Sequence, residues 1–156
     1  MSPSIPVDVF RKELLDVLDE TFENTQGIYL DRNTSLFETL ATLSPEQASR
    51  AIAPSGATIA GHVEHMCFYL DVLTRCIERV PSGKLNWQDS WKVTGVDAEA
   101  WAATVERLRV AHQRTLSVIR NQEVWEGEDD IGASLAILAH TASHLGAIRQ
   151  ALHLVR

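Results

Sequence analysis

His140 and His144 sit four residues apart in the stretch Ile137-Leu138-Ala139-His140-Thr141-Ala142-Ser143-His144-Leu145. On a helix that spacing places two imidazoles on one face, about one turn apart. Two rings so placed can hold one metal ion from a single helix. Ile137, Ala147, Ile148, Ala151 and Val155 fall on or near the same stripe, so both rings are expected to point toward a core. A buried imidazole without partners costs roughly 1–3 kcal/mol, and a metal would satisfy one nitrogen of each ring.

Two further histidines, His62 and His65, fall on the inward face of an earlier helix. An i, i+4 pair completed by an imidazole from a second helix is a usual way to build a His-only site. Three protein ligands leave coordination positions open, as catalytic centres do, whereas structural zinc sites close with four. Three neutral ligands also leave the metal's charge uncompensated. That lowers the pKa of a bound water or thiol and polarises a carbonyl. Zinc, nickel, iron and copper all suit imidazole donors. His62 and His65 are three residues apart and lean to the same side, so spacing does not choose between them.

Tyr69 and Met66 fall near the level of these histidines, where a Tyr hydroxyl could orient a substrate. His112 lies on the apolar stripe of a third helix. It reads either as a buried His bonded to backbone or water, or as a titratable group beside the metal. Glu64 is about 200° around the helix from His62 and reads as solvent-facing. His153 reads as surface. Cys67 and Cys76 share one helix at a spacing that forbids a mutual disulfide, and read as reduced thiols.

The elements that must position these groups are helical throughout, with no segment of sustained strand alternation. A first helix is expected over Val7–Glu23, with Phe10, Leu14, Val17, Leu18 and Phe22 as its stripe. A short helix follows near Ser35–Thr42, and Ser44-Pro45-Glu46-Gln47 reads as an N-cap with Pro at N1. The second long helix is expected from Ala57 to just before Pro81-Ser82-Gly83. Its inward face reads as Ile59, His62, His65, Met66, Tyr69, Leu73, Cys76 and Val80. The third starts at an Asp97 N-cap and runs to Asn121, with Trp101, Val105, Leu108, His112, Thr115 and Ile119 inward. The fourth follows Asp129-Asp130 and runs to Val155. Trp87 and Trp91 lie between the second and third helices, and Trp125 reads as a loop anchor. Four amphipathic helices make an all-α four-helix bundle, a fold that builds metal sites from facing helices. About 33 residues separate Glu23 from Ala57, which suggests a crossover between the first two long helices.

The chain of 156 residues is the size of one domain. A net charge of −7 and the lack of a basic run argue against nucleic acid as a partner. No basic-then-apolar leader and no apolar run of spanning length are read, so a cytoplasmic protein away from membranes is expected.

His140-x3-His144-x-Gly146, followed by Ile148-Arg149-Gln150, resembles the last-helix signature of the DinB/YfiT-like metal-binding four-helix bundles. Gly61-His62-Val63-Glu64-His65 resembles the family's second-helix motif, and Trp87-x3-Trp91 resembles a loop of one branch. The likeness runs over nearly the whole chain. It implies His62, His140 and His144 as ligands, with His65 behind them, and a crossover after the first helix. Ala147 stands where many members carry Gln, and Ser143 where an aromatic is common. Some members transfer low-molecular-weight thiols to electrophiles. The implied function is therefore a divalent-metal (zinc, nickel or iron) enzyme of the thiol S-transferase type. It would take a small-molecule substrate and a thiol co-substrate, with Tyr69, His65 or His112 near the substrate. The alternatives are a hydrolase using a metal-bound hydroxide and a metal-binding stress-response module without turnover. The likeness and the loop tryptophans leave room for a homodimer.

Overall fold

The computed structural model describes residues 4–52 and 56–155. It is all-helical, and among the described residues the only strand-like pairing is a single bridge between Ala51 and Thr58. Helix α1 spans Val7–Phe22 and buries Leu14, Leu18 and Phe22, an i, i+4 stripe. The segment that follows is organised by Glu20, which is fully buried. Its carboxylate accepts N–H bonds from Gln26, Ile28, Tyr29 and Leu30 at 2.6–2.8 Å. Burial would raise this carboxyl, but the four donors outweigh it and hold the pKa down at about 2.

Two short helices occupy the long connection. Helix α2 spans Leu36–Leu40 and α3 spans Pro45–Ala48. Each is closed by a reciprocal capping box, Ser35 with Glu38 and Ser44 with Gln47. Helix α4 spans Ile59–Ile77, its first turn capped by the Thr58 hydroxyl. It ends in a left-handed residue, Arg79 (φ 58), with Val80 N–H bonded back to Arg75 O at 2.9 Å. The stop therefore precedes the Pro81-Ser82-Gly83 punctuation. A 3-10 turn at Trp87–Trp91 leads to α5, Ala98–Asn121, whose Asp97 cap accepts from Ala100 N–H. A π turn at Glu128–Gly132 then opens α6, Ala133–Val155. Buried Asp130 fixes this turn by accepting N–H bonds from Glu126, Gly127 and Ile131.

Helix α4 packs against both α5 and α6, and α1 also packs against both. The core-facing line of α4 is Ile59, Val63, Met66, Leu70, Thr74 and Ile77. This corrects the expected inward face. His62, Tyr69, Leu73 and Cys76 are only half-buried beside that line, and Val80 is outside the helix and exposed. A helix with neighbours on two sides buries a wider arc than a single stripe, and its centre is set by those neighbours. On α6 the buried line is Ile137, Thr141, Leu145, Ile148, Ala151 and Val155, while Ala147 is exposed.

The stretch Asp129–Val155 is 27 residues long with a mean hydropathy of 1.4 in its most apolar window, enough by length and composition to cross a membrane. The expectation that nothing reaches that length fails here. In the structure the stretch lays one face on α1 and α4 and carries His140, His144 and Arg149.

Candidate metal centre

Four histidines meet where α4 faces α6. His65, His140 and His144 each offer a ring nitrogen, and the three nitrogens lie within 4.8 Å of one another. His140 Nε2 is 3.1 Å from His65 Nε2 and 3.1 Å from His144 Nε2. Nitrogens each about 2.0–2.1 Å from one zinc, at angles of roughly 90–110°, stand about 2.9–3.4 Å apart. The spacing therefore fits a shared cation. Hydrogen bonding alone fits poorly. His140 Nε2 carries one lone pair or one proton, and neither serves two nitrogens at once with full geometry.

The tautomer of His65 follows from its other nitrogen. His65 Nδ1 lies 2.7 Å from Ser90 Oγ, and the Ser90 hydroxyl donates its single proton to Trp87 O, also at 2.7 Å. Ser90 Oγ must then accept from His65 Nδ1–H. That puts the free lone pair of His65 on Nε2, facing the cluster. A ligand His whose other nitrogen is held by a hydrogen-bond acceptor is the usual outer-sphere arrangement of metal sites.

All four rings favour the neutral form that a cation requires. Burial, then the neighbouring His65, lowers His140 to about 4. Burial, then His140, His62 and His65, lowers His144 to about 3. Burial lowers His62 and, with His62 beside it, His65.

Aromatic rings fix the cluster from outside. Trp91 stacks on His65 at 4.3 Å and meets His62 edge-on at 5.2 Å. Tyr69 stacks on His140 at 3.6 Å, with planes 8° apart. Trp87 leans on Tyr69 and Phe68. The chain leaving the 3-10 turn can approach α4 because residue 61 is glycine: a Cβ there would lie 2.9 Å from Val93 O.

The structure thus groups His65, not His62, with the last-helix pair. His62 remains adjacent, its Nδ1 2.7 Å from His144 Nδ1. Tyr69 belongs to the cluster through its ring. His112 does not: it is buried against Phe22 and Phe37 of α1 and α2, with neither ring nitrogen hydrogen-bonded. The structure therefore neither brings His112 to the three ring nitrogens nor gives it the backbone bond expected of a buried imidazole, among the described residues. Its stripe position gave burial correctly but carried no information about which neighbour it meets. Ser90 was not singled out as a functional residue. The only signal for it was its place beside Trp91. Glu64 faces away and pairs with Arg107, so no carboxylate joins the cluster among the described residues. His153 is exposed, Cys67 and Cys76 are free and half-buried, and Trp125 anchors its loop through an N–H bond to Gln122 O.

Compared with known proteins, the chain matches no family model, no curated protein and no solved structure.

Proposed function

We propose that this chain is a DinB/YfiT-like four-helix bundle, crossing over after α1, that holds one divalent metal ion between His65, His140 and His144. The observation that carries this is the convergence of three imidazole nitrogens, one with its lone pair directed inward by Ser90. A cation held there supplies Lewis acidity, lowering the pKa of a thiol or water that reaches it.

The activity we infer is transfer of a low-molecular-weight thiol to a small electrophile, the chemistry the motif resemblance implies. Two features of the chain support it. Among the described residues the cluster has no carboxylate to serve as a base, and a thiol activated by the cation does not need one. The protein's own Cys67 is no nucleophile at neutral pH, because burial, then the Glu64 charge, pushes its thiol up to about 12. Neither Cys67 nor Cys76 belongs to the histidine cluster, so in this reading the thiol is a co-substrate. His65, His140 and His144 would hold the ion, Ser90 orients His65, and Tyr69 and Trp91 restrict ring movement and water access. In this reading the protein is cytoplasmic, binds small molecules rather than nucleic acid, and has room to dimerise.

The test is metal content by elemental analysis of protein purified without a His-tag, beside the His140→Ala/His144→Ala double variant. One equivalent in the parent and none in the variant supports the centre and justifies screening thiols against electrophiles. No metal in the parent, and none taken up on reconstitution with zinc, nickel or iron, overturns it.

A further inference from the structure

A cleft of about 450 Å³ is lined by Ile52, His62, Ala147, Gln150, Ala151, His153 and Leu154, with no Asp, Glu, Lys or Arg on its wall among the described residues. That volume is within the roughly 300–1,000 Å³ of small-molecule pockets. Its link to the histidine cluster is His62, which touches His144 on one side and the cleft on the other.

A cation at the cluster sets the direction of the His62–His144 hydrogen bond. His144 Nε2 faces His140 Nε2, so a cation there takes the Nε2 lone pair and leaves the His144 proton on Nδ1. His144 Nδ1–H then donates to His62 Nδ1 across 2.7 Å. His62, accepting at Nδ1, carries its own proton on Nε2. That nitrogen has no hydrogen-bond partner among the described residues and is not sealed from solvent. A neutral N–H donor without a partner, on the wall of a cleft whose other polar side chains are Gln150 and His153, discriminates for a ligand with a matching acceptor.

We propose that this cleft, which borders the metal centre through His62, is a ligand pocket, and that His62 is not a metal ligand but the donor that seats a small, uncharged, largely apolar molecule there by a carbonyl-type oxygen. The proposal rests on the three-imidazole reading above. Among the described residues no Lys or Arg lines the cleft to pair with a carboxylate or phosphate, and its histidines are neutral donors or acceptors rather than fixed counter-ions. Ala147 and Ala151 keep the α6 wall shallow, and Gln150 and His153, both exposed, supply further polar contacts at its edge.

Acetophenone and ethylbenzene, which share a shape but differ in the carbonyl, make the test. Each is titrated into the full chain, zinc-loaded and metal-free, with amide shifts of Ala147, Gln150 and Leu154 followed by NMR and zinc affinity measured separately by chelator competition. Acetophenone is expected to bind at the cleft about tenfold more tightly than ethylbenzene, one hydrogen bond's worth. His62→Phe should abolish that preference yet still bind one zinc, weakened by no more than about 100-fold. His62→Gln, which keeps an N–H donor, should restore the preference. Ala147→Trp, at an exposed wall position, should block both compounds and leave zinc binding unchanged. Equal binding of the two compounds, shifts outside the cleft, or complete loss of zinc in both His62 variants overturns the proposal. Absence of zinc binding in the parent overturns the metal reading instead, and the metal-free titrations still report on the cleft.

Discussion

His112 offers the sharpest test of the packing argument. It is 1% exposed, lies 3.9 Å from the Phe22 ring at an interplanar angle of 12°, and both its nitrogens lack partners. Burial, then the Arg109 and Arg120 charges, lowers its pKa from 6.5 to about 4. Replacing it by Leu, close in volume, removes the unpaired polar atoms. The relief is about 1–3 kcal/mol, set against about 0.5–1.5 kcal/mol of lost ring stacking, so a net gain of about 1 kcal/mol is expected at pH 7. The gain should widen in acid. A folded-state pKa below the unfolded value means that the unfolded chain binds the proton first. Stability is therefore complete above pH 6.5 and declines as pH falls toward about 4. At pH 5 this one group costs the native protein about 2 kcal/mol that the Leu variant does not lose. Urea unfolding of metal-free parent and variant at both pH values measures the difference, and the other histidines cancel in the comparison. A variant less stable than the parent at pH 7 would refute the claim that His112 is an unpaired polar burden. A gain that fails to grow at pH 5 would refute its depressed pKa.

Three other outcomes follow from named contacts. Ser90→Ala removes the acceptor that fixes the His65 tautomer, and zinc affinity should drop about 10- to 100-fold with the fold intact, read by chelator competition. Gly61→Ala sets a Cβ against Val93 O at 2.9 Å, a backbone atom that cannot swing aside, so thermal stability should fall and Trp91 fluorescence should report its release from His65. Glu20→Gln replaces an acceptor-only carboxylate facing four N–H groups, and hydrogen exchange should accelerate at Gln26, Ile28, Tyr29 and Leu30. In the parent that Glu20 contribution is complete above its unfolded pKa of 4.5 and lost as pH falls toward about 2, so exchange in this segment should rise only in strong acid.

What the sequence determined by itself is local. The Asp97 cap, the Ser44-Pro45 start and the short helix after Ser35 are set by side chains bonding their own backbone three residues on, and all three stand where the spacing put them. The same holds for His140 and His144 sharing a face, since 3.6 residues per turn leaves no alternative. The tertiary structure decided what depends on a neighbour. Three residues on a helix separate His62 from His65 by about 60° in direction, and both fit an apolar-side reading. Which one reaches α6 as a third nitrogen is set by how Val63, Met66 and Leu70 seat α4 in the core. Ser90, far along the chain and on a different element, then fixes the proton of His65. The π turn before α6 has the same origin: Asp130 was legible as a helix-start carboxylate, but its burial under Arg79 and its three N–H donors come from the approach of separate segments. His112 was legible as a core position and not as an unpaired one, because a stripe shows that a side chain is buried and carries no record of what it is buried against.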